Sequence, residues 1–395
     1  MSEIAAIKAH WGLDPEVRFL NHGSFGAAPT CVLEAQSAWR ERLERQPVKF
    51  LARELEGLLD TALTGLGQFL GADAEDLAFQ PNATHGLNTV LRSLTFAPGD
   101  QILATSHGYN AARTAATYVA ERAGARLVEV QVPFPLTGPE EVLAAVEAGF
   151  SERTRLLLID HVTSPSGLVL PIAELVALAQ ERGVEVLVDG AHAPGMLPLD
   201  LNALGADYYT GNCHKWLCTP KGSAFLHVRR DRQAKIRPLA ISHGANDART
   251  DRSRFRLEFG WTGSADPSAY LCVPRAIEFL GGLLPGGWTE LYAHNRALAL
   301  HARQEMCAAL ETEAPAPESM IANLSAVLLP GLEAPLAPGQ ADPLQIWLRE
   351  VHGIEVPVFT FPGGRVIRIA AQVYVSRAEV AALAAALRAW RTEQA

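Results

Sequence analysis

The segment LVDGAHAPG…ADYYTGNCHKWLCTPKGSAFL holds the residues whose types and spacing could do chemistry. Asp189 ends an apolar run, where an ionised carboxylate is costly unless a cation faces it. Lys215 follows 26 residues later, between His214 and Trp216. An amine among aromatic and histidine side chains can lose its proton near neutral pH, which attack on a carbonyl requires. An Asp at a strand end, then a His, then a loop Lys is the layout expected for pyridoxal 5'-phosphate. The Lys forms an imine with the cofactor. The Asp keeps the pyridine nitrogen protonated, so that the ring accepts electrons from a substrate carbanion. The plainer readings are a surface lysine and an Asp that only caps a helix.

These residues need a scaffold, and the chain around them alternates apolar runs with helical patterns. QILATS, ARLVEVQV, RTRLLLIDHV, VEVLVDG, DYYTGN and GSAFLHV read as strands. AARTAATYVAERAG, PEEVLAAVEAGF and PIAELVALAQERG read as helices, and PNATHGLNTVLRSL as a turn feeding a helix. Thr137 precedes Glu140 by three residues, a capping-box spacing. Repeated βα units predict an α/β fold with a mostly parallel sheet and helices on both faces. Ligands in such sheets sit outside the carboxyl ends of the strands, where every polar cluster named here falls.

Cys31 to Leu70 reads as helix broken near Pro47. After Asp266 the texture changes to helices, the Pro-rich loops APAPE and EAPLAPGQADP, the strands GIEVPVFTF and RVIRIA, and a closing amphipathic helix. The expected organisation is an arm over 1–18 packing on a small α+β domain over 266–395, with a large domain over 19–265.

Of 395 residues, 34 are Lys or Arg and 43 Asp or Glu, a net charge of −9, which argues against a general nucleic-acid binder. Hydrophobic residues make up 48%, so a large core is available. The five cysteines are odd in number and mostly far apart, so no disulfide framework is expected and a reducing cytoplasm is the default. The N-terminus has early acids and no apolar core of a signal peptide. No apolar stretch reaches the roughly 18 residues of a membrane span.

Nine segments, LNHGSFGAAP, PNATHGLN, SHGYNA, HVTSPSGLVLPI, VDGAHAPG, YYTGNCHKWL, PKGSAFL, WTGSADPSA and IRIAAQVY, occur in register along nearly the whole chain. In them the chain resembles the aminotransferase class V family of fold-type I pyridoxal-phosphate enzymes, within it the isopenicillin N epimerase-like branch. The resemblance implies that Lys215 carries the cofactor and moves protons. It also implies that Asp189 faces the pyridine nitrogen, His192 the ring hydroxyl and His107 the ring face. Ala83, Thr84, Asn212 and His214 would hold the phosphate, and a helix N-terminus after NAT suits an anion. Thr262 would enter from a second subunit, which implies a homodimer. Arg368 would fork onto the carboxylate of an amino-acid substrate. Asn21 and His22 would lie near the substrate entrance, and Ser164 near the cofactor.

The chain departs from the family in places. No Cys stands on the loop before Arg368, which disfavours a persulfide-forming desulfurase. Arg368-Ile369-Ala370 replaces the Arg-x-Ser of many relatives, and Tyr374-Val375 replaces YN, which leaves the support of Arg368 open. By the plainer readings, His107 and His192 are satisfied histidines and Arg368 is a salt-bridged surface residue. Cys213, His214 and Cys218 offer too few metal ligands, and the cysteines suit packing better. The basic run ARTDRSRFRLEF reads as a solvated face. Dinucleotide, ATP-loop and nucleophile-elbow motifs are absent.

The carbanion could be reprotonated on the other face (epimerisation), lose a β-substituent such as sulfur (lyase), or pass its proton to the cofactor (transamination). A catalytically idle binding protein on the same fold is the alternative of another class.

Overall fold

A computed structural model describes residues 3–330, 336 and 340–394. Its centre is a seven-stranded sheet of β1 (Leu77–Gln80), β2 (Gln101–Thr105), β3 (Arg126–Val130), β4 (Thr154–Asp160), β5 (Glu185–Asp189), β6 (Tyr208–Asn212) and β7 (Ala224–Val228). The spatial order is β1-β7-β6-β5-β4-β2-β3. β2 to β6 run parallel to one another, and β7 runs against both of its neighbours, β1 and β6. This is the mostly parallel α/β sheet read from the βα alternation.

Side chains alternate across a strand, and here both faces are apolar. Ile102, Ala104, Leu156 and Leu158 face Leu87, Val90, Ala112 and Ala116 of the helices Ala83–Ser93 and Asn110–Ala123. Leu103, Leu157, Ile159 and Val186 face the opposite layer, with Val142, Val146, Leu175 and Val176 of the helices Pro139–Gly149 and Ile172–Gln180. That two-sided burial is why these strands read as unbroken apolar runs.

A second sheet of β8 (Leu324–Leu329), β9 (Val358–Phe361) and β10 (Gly364–Ala370) is antiparallel, with β10 central. The helices Gly287–Leu310 and Arg377–Gln394 pack together beside it. Lys8 pairs with Glu379 at 2.7 Å, and the Trp11 ring lies 5.0 Å from that of Tyr374. Arg18–Phe19 pairs in parallel with Ile354–Glu355.

Several local expectations shift. The 31–70 pattern resolves into Thr30–Arg45, a short turn opened by Pro47, a π-helical stretch Phe50–Glu54, and Leu55–Leu70. The Thr137–Glu140 capping box does not form. Pro139 occupies the first helical turn, and Thr137 donates through N–H and hydroxyl to Glu141 at 2.6 and 2.5 Å. β1, β8 and the helix Pro343–His352 were not anticipated. Most of the second Pro-rich loop, 333–343, lies outside the described residues. Among the described residues no helix is long and apolar enough to cross a membrane.

Candidate active site

Lys215 sits in the loop between β6 and β7, three residues past the end of β6. The loop is tied down by backbone: the N–H groups of Cys213 and His214 donate to the Ser223 carbonyl, and Cys218 N–H donates to the Lys215 carbonyl. Two glycines permit close approach to it. A side chain at Gly26, which has φ +72, would put Cβ 2.0 Å from the His214 carbonyl oxygen. One at Gly195 would meet the Trp216 carbonyl at 2.6 Å. Neither position has room for another residue.

Burial lowers the Lys215 ammonium to about 7, aided by the Arg368 charge and opposed by Asp189 and Asp160. The amine nitrogen lies 3.1 Å from His192 Nε2. The Trp216 indole N–H donates to His192 Nδ1 at 3.3 Å. A neutral His192 therefore carries its proton on Nε2 and donates it to the unprotonated amine of Lys215. Burial, then the charges of Lys215 and Arg368, keep His192 neutral.

Asp189 ends β5, as expected, but no helix follows for it to cap. One carboxylate oxygen accepts from Ala191 N–H at 3.0 Å, and no cation pairs with it among the described residues. Asp160 ends β4 directly beside it in register. Burial and the Asp189 charge both push the Asp160 carboxyl upward; burial raises Asp189 too, against Ala191 and Lys215.

Arg368 lies on the central strand β10 and is 1% exposed. It is not a surface ion pair. One guanidinium nitrogen donates to the Ser164 carbonyl and, at 3.3 Å, to its hydroxyl. The group lies 4.8 Å from the Phe359 ring centroid, Nε has no partner, and no carboxylate faces it among the described residues. Burial lowers it to about 9. The support absent from Ala370 is thus given by Ser164.

The helix Ala83–Ser93 starts beside β6, close enough that a Cβ at Gly86 would reach Thr210 Oγ1 at 2.2 Å. Asn82 caps the His85 N–H, and Asn212 Oδ1 accepts the Ala83 N–H at 2.9 Å. Thr84 is half-buried in that first turn. His214 Nδ1 donates to the Ser223 carbonyl at 2.8 Å, leaving Nε2 as the acceptor of a neutral ring that burial holds near 4. His107 donates from Nε2 to the Val132 carbonyl at 3.2 Å and accepts at Nδ1 from Ser166 at 2.8 Å. Its ring meets Phe134 and Phe361 edge-on, and burial lowers it to about 4.

Of the remaining expected residues, His22 and Asn21 are buried and Thr262 is exposed. His22 is fully buried. Its Nδ1 is 2.8 Å from the Tyr374 hydroxyl and its Nε2 2.9 Å from the Lys215 carbonyl, so neither nitrogen is left for a substrate. Asn21 is buried beside it, accepting from Ser24 and 3.4 Å from Glu355. Thr262 lies on an exposed segment and, within one chain, lines a separate cavity of about 610 Å³ with Trp261, Arg256 and Leu55. The basic run beside it is not a bare solvated face: Arg249 pairs with Glu56 at 2.9 Å, and Arg252 and Arg256 with Asp60. Cys213 and Cys218 are buried, with thiols pushed up to about 12.

Asp160 and Ser166 belong to this network and carry no role in the sequence analysis; Trp216 and Tyr374, noted there only as neighbours in a motif, belong to it too. Asp160 carried a usable signal, since it ends LLLID as Asp189 ends VLVD.

The aminotransferase class-V family model matches residues 26–326. The chain belongs to that family. It is 37% identical over 391 residues to an isopenicillin N epimerase of Amycolatopsis lactamdurans, covering 95% of this chain and 96% of the relative. It is 30% identical over 396 residues to a probable chloroplastic L-cysteine desulfhydrase of Arabidopsis thaliana, covering 94% and 82%. Its fold matches a solved structure of a C-DES mutant with glycine linked covalently to its PLP cofactor, with TM-score 0.81, 22% identity, and coverage of 96% and 98%. The chain is a pyridoxal-phosphate enzyme of amino acids, in a family that includes epimerases and carbon–sulfur lyases. The residues present fit the cofactor: a buried carboxylate without a cation, an amine near neutrality, and a buried guanidinium with a free N–H.

Proposed function

We propose that the chain is a homodimeric, cytoplasmic enzyme that uses Lys215 to remove the Cα proton of an amino acid. The observation that carries this is an amine brought near neutrality, held by a neutral His192 and within electrostatic reach of the Arg368 guanidinium, whose Nε has no partner. Asp189 would stand against the pyridine nitrogen, His192 against the ring hydroxyl and His107 against the ring face. Ala83, Thr84, Asn212 and His214 would hold the phosphate, with Thr262 supplied by the second subunit. When bound, the cofactor supplies a sink for the electron pair left at Cα.

Arg368 holds the carboxylate and, backed by Ser164, fixes which way Cα faces. Lys215 takes the Cα proton as a neutral base and becomes an ammonium among Asp189 and Asp160. Burial excludes water that could quench the charge. The first reading of the outcome is epimerisation, supported by the 37% identity to an epimerase over 95% of the chain.

A second reading is β-elimination of sulfur from a cysteine derivative. It is favoured by the protonation states around Lys215: burial keeps His22, His107 and His192 neutral, so no histidine cation is available as a second proton donor. In that case the proton on Lys215 goes to the departing sulfur. The free cysteines and the absence of a membrane-length helix among the described residues suit a reducing aqueous compartment.

A screen of amino acids in deuterated water tests these readings. Deuterium at Cα with inversion supports epimerisation, and pyruvate with sulfide supports elimination. A holoenzyme that does neither, whether or not it requires a keto acid, overturns both.

A further inference from the structure

The short helix His22–Phe25 lies between the two charged groups on which the proposed function rests. At one end, a Cβ on Gly23 would stand 3.5 Å from an Arg368 guanidinium nitrogen. At the other, Gly26 is pressed onto the His214–Lys215 peptide, with a virtual Cβ 3.0 Å from Lys215 Cα. Between them, His22 is 0% exposed.

The hydrogen bonds of His22 have one consistent direction. The Lys215 carbonyl can only accept, so His22 Nε2 carries the proton and donates at 2.9 Å. Burial keeps the ring neutral, so Nδ1 is bare and accepts the Tyr374 O–H at 2.8 Å. The Lys215 carbonyl thereby takes two donors, His22 and the N–H of Cys218. Cys218 has φ 54, a conformation that non-glycine residues adopt only when their surroundings hold it. Gln372 Nε2 stands 3.3 Å from His22 Nε2, where two N–H donors face each other and no hydrogen bond forms; it donates weakly to Cys218 Sγ at 3.6 Å, and its oxygen is fixed by Asn295 at 3.1 Å. Gln372 and Tyr374 follow directly on β10, which carries Arg368.

We propose that His22, held by Tyr374, is a positioning residue that clamps the backbone of Lys215 and sets its place relative to Arg368, through one short helix wedged between the lysine loop and β10. The charged and titratable groups facing it are Lys215, Lys221, His192, Cys218 and Tyr374. A histidine that merely filled the core would contribute packing but would have no reason to bond the carbonyl of the reacting lysine. The inference rests on Lys215 being the cofactor-bearing base.

The test compares holoenzymes of wild type, His22→Leu, His22→Gln and Tyr374→Phe. Leu keeps volume without a donor, whereas Gln restores an N–H at similar reach. His22→Leu is expected to lower kcat at least about tenfold, the scale of one lost positioning hydrogen bond, with KM changed less than about threefold. The pH midpoint of the visible absorbance of the holoenzyme should move by about 0.5 or more, because the geometry around the amine changes. His22→Gln should recover most of both. A His22→Leu enzyme matching wild type in kcat and midpoint overturns the proposal, as does a His22→Gln enzyme no better than His22→Leu. If the His22 variants do not fold, Tyr374→Phe decides: an unchanged kcat and midpoint overturn it. A wild-type protein that stays colourless with pyridoxal phosphate would instead sink the role of Lys215.

Discussion

Asp160 and Asp189 stand opposite each other in register, at the carboxyl ends of adjacent parallel strands. Two buried carboxyls this close do not ionise independently, and both are raised. A carboxyl whose folded pKa is raised stabilises the fold at acid pH and loses that contribution as pH rises through the folded value. Cofactor-free Asp160→Asn protein, which mimics the protonated form, is therefore expected to gain thermal stability over wild type as pH rises from 5 to 8. Parallel melting curves across that range would contradict the coupling.

Asp189→Asn should leave the fold intact and lower kcat by about 10²–10³, the usual loss when one preorganised electrostatic group at a reacting centre is removed. The variant should still bind cofactor through Lys215. Wild-type turnover would refute the assignment of Asp189 to the pyridine nitrogen.

Lys215 has an ammonium lowered to about 7. Only the neutral amine can capture an aldehyde. The rate at which cofactor-free protein turns yellow should rise about tenfold per pH step below that value and level off above it. A rate still climbing at pH 9 would mean an ordinary lysine. Lys215→Ala should remain unlabelled after borohydride.

Arg368→Gln should raise KM for the amino acid about 100-fold, the scale of losing a charge-assisted pair of bonds. Ser164→Ala should change KM less than about threefold, because the shorter Arg368 contact is to the Ser164 backbone carbonyl and the hydroxyl stands at 3.3 Å. Equal effects of the two substitutions would overturn that division of labour.

Gly26→Ala tests the close approach over the lysine loop. With Cβ 2.0 Å from the His214 carbonyl and φ +72, it should lower the melting temperature by several degrees and impair cofactor capture. Unchanged capture would show that the loop tolerates displacement.

The sheet was legible because parallel strands buried on both faces read as apolar runs, and Asp189 stood out because a carboxylate ended one. β1 was not legible: four residues between helical patterns carry little period. β8 lies in the apolar run IANLSAVLL, which periodicity alone does not tell from a buried helix. The motif puts His22 near the substrate entrance and says nothing of its two hydrogen-bond partners, which lie 193 and 352 residues away. Contacts between such distant residues leave no local pattern. The same holds for Ser164 under Arg368, a bond made mainly by backbone.

The burial of Cys213 and Cys218 sets how the protein can be labelled and handled. Thiolates are the reactive form, and these two thiols, pushed up to about 12 and fully enclosed, offer almost none at neutral pH. Cys31 and Cys307 are only half-buried. A maleimide dye would therefore go to these two positions first, one at the start of the helix Thr30–Arg45 and one near the end of Gly287–Leu310. The native chain thus carries a ready pair of attachment points for distance measurements during turnover, while the cysteines beside the reacting lysine stay out of reach of the dye and of air oxidation.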